Sequence, residues 1–297
     1  MNVLHFRTLV AVHDSPTFAD AAEALHLTPA AVSQQMRHLE DTLQVALFDR
    51  TTRPPRLNGH GLRVVAHARD VLVSYDRLVE VAGAVDEIAG VLTIGAATGV
   101  TSRLIPVVLR KLRDKYPALQ IKIEEGVTAD LISRVRRRSL DAAVITEPLI
   151  PEPDMVTLPI TSEQMMVLAP ADSTQDDWKS LIASRPFLRL NRSSGVGRLI
   201  DAELRKARVP VQEAMELDSS ESIVGLITEG LGVGVVPAGR VTDDVRNTLK
   251  VVPFGSPPVR RNVVLIERTN NQRSDLASIL YQELLALTSK PKTKVQA

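Results

Sequence analysis

The chain is expected to be an α/β protein with a small helical N-terminal unit, a long connecting helix and a two-lobed α/β remainder. Three observations predict this. Helical periodicity with its own start signals dominates residues 1–58. From Asn58 to about Ala89 the chain contains no proline and places apolar residues alternately four and three apart. After Gly90, short β-runs alternate with helical segments as far as residue 288, the order of an α/β fold.

Composition narrows the function classes. The chain has 297 residues, 44% hydrophobic and 24% charged, with a net charge of +1. That is ordinary for a globular protein. No apolar run reaches the roughly 18 residues of a membrane helix. The N-terminus lacks the basic and apolar regions of an export signal, so a cytoplasmic protein without a membrane partner is expected. With no cysteine, disulfides, thiolate metal sites and cysteine-based redox sensing are excluded. All six histidines lie at or before His67, which removes Ser-His and Cys-His catalysis and His-ligated metal from the rest of the chain. No GxGxxG fingerprint and no P-loop stand there either. Although acids and lysines remain, these absences argue against an enzyme, and no cofactor or metal is expected. His13 continues the apolar face of Phe6, Leu9 and Val10 and reads as a core-edge histidine.

The first helix is expected near residues 3–13. The second opens at Thr17, which with Asp20 has capping-box spacing, and carries Phe18, Ala21, Ala22 and Leu25 on its apolar side. The connection His26-Leu27-Thr28 is short enough for a helix-turn-helix. In the third helix Thr28 is the N-cap and Pro29 suits the first position, where its missing N–H costs nothing. Val32, Met36, Leu39 and Leu43 face a core. Ala30, Ser33, Gln34 and Arg37 lie opposite, and an amide and a guanidinium are suited to bidentate bonds with base edges in a major groove. Leu47-Phe48-Asp49-Arg50, a turn at Thr51–Pro55 and Arg56-Leu57-Asn58 predict a two-stranded wing. Residues 1–58 hold five arginines, no lysine and six acids, a formal charge of −1, so charge alone does not suggest DNA. Four of those arginines lie between Arg37 and Arg56.

The run Phe18, Ala21-Ala22, Leu25, Ala31-Val32-Ser33, Leu39-Glu40, Leu43, Leu47-Phe48, Arg50, Arg53, Leu57 and Gly61 resembles the LysR-type transcriptional regulators without a gap. Two positions depart from that pattern: Gln44 stands where the family usually has Gly, and Asn58 where it usually has Thr. The resemblance implies a winged helix-turn-helix over residues 1–58 that binds double-stranded DNA at a two-fold symmetric operator. It implies that Ser33, Gln34 and Arg37 approach the major groove, with Thr28, Pro29 and Ala30 at the start of the reading helix. Thr17, Arg50 and Arg53 would hold phosphates, which position a protein without specifying sequence.

Residues 59–89 form the expected linker and dimerisation helix. Val64, Ala68, Val71, Tyr75, Leu78, Ala82, Val85 and Ala89 make a coiled-coil seam, on which Val64, Val71, Tyr75, Leu78 and Val85 would join two copies as a dimer or tetramer. Residues 90–297 are expected to form the effector-binding domain, two α/β lobes as in periplasmic solute-binding proteins. Lobe I spans about 90–162 and 268–297, and lobe II about 163–267. The βαβ order suggests a parallel sheet.

Ligands of open α/β sheets bind beyond the carboxyl ends of strands, often at helix N-termini. That rule selects Thr98, Gly99, Val100, Thr101 and Ser102 after the first strand, Thr128 after the second and Thr146 after the third. In the other lobe it selects the donor-rich Asn191–Gly195 loop with Arg192 and Ser193. Hydroxyls and backbone N–H groups there suit a small anionic metabolite, with Arg192 as counter-charge. Arg134, Arg136, Arg137 and Arg138 read as a solvated helix face. The function expected is a ligand-responsive regulator, with RNA polymerase a candidate partner. The alternative is a solute-binding or transport-type sensor with a non-DNA head, and binding to a palindromic DNA fragment separates the two.

Overall fold

The computed structural model describes residues 2–52, 54–83, 88–100 and 104–288. They fall into two units, Met1–Gly90 with Arg137–Ser139, and Val91–Arg136 with Leu140–Ala297.

In the first unit, helices α1 (Val3–Asp14), α2 (Phe18–Ala24) and α3 (Pro29–Leu43) precede strands β1 (Phe48–Asp49) and β2 (Arg56–Leu57) and the long helix α4 (Gly59–Gly83). Local chemistry sets the boundaries. Thr28 accepts from the Ala31 N–H at 3.2 Å, with Pro29 in the first turn. Thr17 accepts from the Asp20 N–H, but the capping box closes differently from expectation: the Thr17 hydroxyl donates to Asp20 Oδ2 at 2.7 Å. Aspartate is one methylene shorter than the glutamate that usually reaches back to the cap's own N–H. Asn58 caps α4, its Oδ1 accepting from His60 and Gly61 at 2.9 Å, while its amide donates to the Ala46 carbonyl. Leu9, Val32, Leu39 and Leu47 are fully buried in one core, each contributing roughly 1.5–3 kcal/mol.

That core takes in part of the expected seam. Ala68 is buried in it and Val64, partly buried, packs against it, so the first turns of α4 help close the head. Three short helices leave their shared core open on one side, and α4 lies along α1 to cover it. An outward apolar stripe starts only at Val71, followed by Tyr75 and Leu78, which are 43%, 42% and 66% exposed. Val85 lies outside the described residues.

The second unit runs β3 (Gly90–Ala97), α5 (Ile105–Lys115), β4 (Leu119–Gly126), α6 (Thr128–Arg136), β5 (Ala142–Thr146) and the long β6 (Met155–Pro170). It continues with α7 (Trp178–Ser184), β7 (Phe187–Leu190), α8 (Gly195–Ala207), β8 (Glu213–Leu217), α9 (Ser220–Thr228) and β9 (Val233–Pro237). After a 3₁₀ turn at Ala238–Arg240 come α10 (Asp243–Thr248), β10 (Leu249–Pro253), β11 (Arg260–Arg268) and α11 (Ser274–Thr288). Strand order is β4-β3-β5-β11-β6-β9-β7-β8, with β10 also on β6.

The sheet is mixed, not parallel. β3 pairs parallel with β5, and β7 with β8 and β9, but β11 is antiparallel to both β5 and β6, and β6 is antiparallel to β9 and β10. The reason is β6. Its first part pairs with β11 in one lobe and its last residues, Met165–Pro170, pair with β9 and β10 in the other. It is thus one crossing between lobes. The return crossing falls between Val259, packed on the second core, and Val263, buried in the first. β11 therefore belongs to lobe I, which moves the expected boundary at 267 back to about 260. The helix expected from Thr101 opens at Ile105.

Candidate nucleic-acid interface and ligand cleft

On α3 the buried residues are Val32, Met36, Leu39 and Glu40. Ala30, Gln34 and Arg37 are exposed and Ser33 is half-buried, so these four share the outer face, with exposed Thr28 and Pro29 at its start. Arg37 Nε leans on the Ser33 carbonyl at 3.4 Å. Gln34 makes no side-chain hydrogen bond among the described residues, leaving its amide for a partner.

The wing rests on a residue that periodicity assigned to no role. Glu40 is 9% exposed. Its Oε1 accepts from the backbone N–H groups of Leu47 and Phe48 at 2.8 and 3.2 Å, and its Oε2 meets Arg50 Nη2 at 2.6 Å. Arg50, expected to hold phosphate, is thus tied to a carboxylate, although its side chain stays 63% exposed. Arg53 lies outside the described residues. Gln44 adopts φ 54°, ψ 34°, the left-handed conformation that a glycine takes without strain. Its amide donates to the Asp41 carbonyl at 2.6 Å, which offsets part of the cost.

In the second unit a cavity of about 500 Å³ opens between the lobes. Thr98 and Gly99 after β3, Thr128 after β4 and Thr146 at the end of β5 line it from lobe I; Asn191, Ser194 and Gly195 line it from lobe II. The helices α6 and α8 meet here by their N-termini. Gly195 is required at that meeting, because a Cβ would lie 2.8 Å from Thr128 Oγ1 and 2.7 Å from Thr146 Cβ. Thr128 is 1% exposed, and its hydroxyl has no hydrogen-bond partner among the described residues. Ser194 caps α8 by accepting from the Gly197 N–H.

Three expected residues stand differently. Val100 is 2% exposed and packs in the lobe I core, bordering a second cavity of about 650 Å³. Arg192 and Ser193 do not line the cleft: Arg192 is held by Asp201, Glu213 and Glu216, and Ser193 bonds Asn191 Oδ1. Three carboxylates surround Arg192, so its charge is spent on lobe II. Thr101 and Ser102 lie outside the described residues. In the arginine cluster, Arg134 pairs with Glu124 and Arg136 with Glu152 and Asp154.

Among the described residues the cations lining the cleft are Arg240 and Arg261. Arg240 Nη2 donates to the Gly99 carbonyl at 3.1 Å while Nη1 meets Glu221 at 2.6 Å. Arg261, with a 5% exposed side chain, donates to Thr146 Oγ1 at 2.9 Å and to Glu163 at 3.1 Å. Arg240 follows β9 directly, so the strand-end rule could have found it. Arg261 sits at the start of an antiparallel strand, where that rule does not look.

Comparison with known proteins agrees with this architecture. The profile described as LysR substrate binding domain matches residues 86–288, and that described as bacterial regulatory helix-turn-helix protein, lysR family, matches residues 3–62. The chain is similar to a "Probable hydrogen peroxide-inducible genes activator" of Streptomyces viridosporus, 28% identical over 293 residues, covering 96% of this chain and 92% of that one. It is also similar to a "Probable RuBisCO transcriptional regulator" of Synechocystis, 25% identical over 296 residues, covering 94% and 84%. Among solved structures, a full-length OxyR variant from Pseudomonas aeruginosa superposes with a TM-score of 0.74 at 27% identity, covering 100% of this chain and 99% of that one. A winged head with a polar reading face, a cleft between two α/β lobes and both profile matches together place the chain in the LysR family, as a DNA-binding transcriptional regulator with an effector-binding unit.

Proposed function

We propose that Ser33, Gln34 and Arg37 read base edges of a two-fold operator, that two copies join through Val71, Tyr75 and Leu78, and that a small metabolite carrying a carboxylate binds between the lobes. The observation behind the ligand reading is the Thr128 side chain, 1% exposed and without a hydrogen bond among the described residues, facing Gly195 where two helix N-termini meet. Helix N-termini present free N–H groups and partial positive charge, which suit an anion. Thr98 and the Thr146 hydroxyl add donors nearby, the latter with its oxygen already accepting from Arg261. Arg240 ties the lobes through the Gly99 carbonyl, so a ligand that alters this contact changes lobe spacing. Coupling to DNA requires that ligand to bind the two arrangements with different affinity.

Thiol chemistry plays no part in this chain. One relative is named for hydrogen peroxide induction, but with no cysteine here, peroxide has no thiol to oxidise. The ligand test is a thermal-shift screen of small carboxylates and amino acids on the full chain, repeated on Thr128→Val. A hit whose shift is lost in that variant, and which alters the footprint on operator DNA, supports the reading. A hit that Thr128→Val leaves unchanged refutes the placement. For DNA, Gln34→Ala is expected to relax base preference at one operator position by about 1–3 kcal/mol, measured by binding to single-base operator variants.

A further inference from the structure

The charges lining the cleft define its ligand more closely. Glu125 at the end of β4 and Asp218 just past β8 both face the same cavity as Thr128 and Gly195, and both are exposed to it. Neither forms an ion pair among the described residues; Asp218 accepts only from the Asn191 amide, at 2.5 Å. The two guanidiniums that line the cavity among the described residues are both engaged by carboxylates, Arg240 by Glu221 and Arg261 by Glu163. Among the described residues the lining has no lysine and no histidine. The lining therefore offers hydroxyls and helix N-termini together with two carboxylates that form no ion pair among the described residues. A dianion would meet those carboxylates with like charge, and a simple amine would leave the Thr128 hydroxyl and the α6 and α8 termini unused.

We propose that the cleft takes a zwitterion, a small molecule bearing both a carboxylate and an ammonium group, with the carboxylate at Thr128 and Gly195 and the ammonium toward Glu125 and Asp218. This rests on the cleft being the ligand site. An ammonium suits these acids because it is a compact cation with three donors, and each acid presents acceptors to the cavity.

The test uses four probes of matched length on the full chain: L-norvaline, pentanoate, glutarate and pentylamine, compared by saturation-transfer NMR at millimolar concentration. L-Norvaline is expected to bind about tenfold more tightly than any of the other three. Glu125→Gln with Asp218→Asn, isosteric changes at exposed positions, should erase that advantage over pentanoate and glutarate. Thr128→Val should weaken L-norvaline and pentanoate alike. Pentanoate or glutarate matching L-norvaline on the unaltered chain overturns the zwitterion, and loss of their signal in Thr128→Val would then leave the cleft reading standing. Pentylamine matching L-norvaline overturns the carboxylate half. L-Norvaline binding that Thr128→Val leaves unweakened means binding elsewhere and sinks the cleft reading as well. No signal from any probe also overturns the proposal, because it holds the two charged ends sufficient for millimolar recognition.

Discussion

Replacing Glu40 with alanine is expected to release the wing from α3. The carboxylate is the shared acceptor for two backbone N–H groups, those of Leu47 and Phe48, and for the Arg50 guanidinium. Leu47 is fully buried and Phe48 is 7% exposed, so their N–H groups have little water to turn to. An unsatisfied buried donor costs about 1–3 kcal/mol, and the wing's position near the surface allows some relaxation, so Glu40→Ala should lose about 2–4 kcal/mol of head stability. Glu40→Gln separates the contributions. Its carbonyl oxygen can still accept from both N–H groups, and what is lost is an ion pair to an arginine 63% exposed, worth up to about 1 kcal/mol. Arg50→Ala should match the glutamine variant in stability. Hydrogen exchange at the Leu47 and Phe48 amides reads the wing directly, and urea unfolding gives the magnitude. Retained protection of both amides in Glu40→Ala would refute the reasoning, as would a glutamine variant as damaged as the alanine one.

Other perturbations follow from single observations. Gln44→Gly should stabilise the head by about 0.5–1 kcal/mol, since it relieves a left-handed non-glycine at the loss of one exposed hydrogen bond; an unchanged or lower melting temperature contradicts this. Gly61→Ala should cost about 1–3 kcal/mol, because its Cβ would sit 2.3 Å from the Leu47 carbonyl oxygen, and thermal unfolding of that variant checks it. Burial pushes the His13 imidazole below its ordinary value of 6.5. The folded head therefore binds fewer protons than the unfolded chain, and its stability should fall as pH drops through 6.5; a pH series on His13→Gln should show a shallower loss. Val71→Asp with Leu78→Asp should break self-association, and a double variant that remains dimeric by light scattering rules out this stripe as the contact.

The helical boundaries of the head were legible in the sequence because capping is local chemistry: Thr17, Thr28 and Asn58 lie within three residues of the N–H groups they satisfy. The outer face of α3 was legible for a similar reason, since a 3.6-residue period separates Gln34 and Arg37 from Val32 and Met36 without reference to the rest of the chain. Composition alone removed thiol and histidine chemistry from the effector unit. Where the α4 stripe changes partner was decided by tertiary packing. Over its first turns an apolar row looks the same whether it covers its own core, as Val64 and Ala68 do, or faces outward, as Val71 and Leu78 do. The strand-end rule found Thr98, Thr128 and Thr146, but it could not say that Gly195 brings a second helix terminus against Thr128. Charge pairing escaped the sequence altogether. Glu40 with Arg50, Arg192 with Glu213, and Arg261 with Glu163 are set by the fold, and whether a charge is spent or available depends on which distant residue the fold brings beside it.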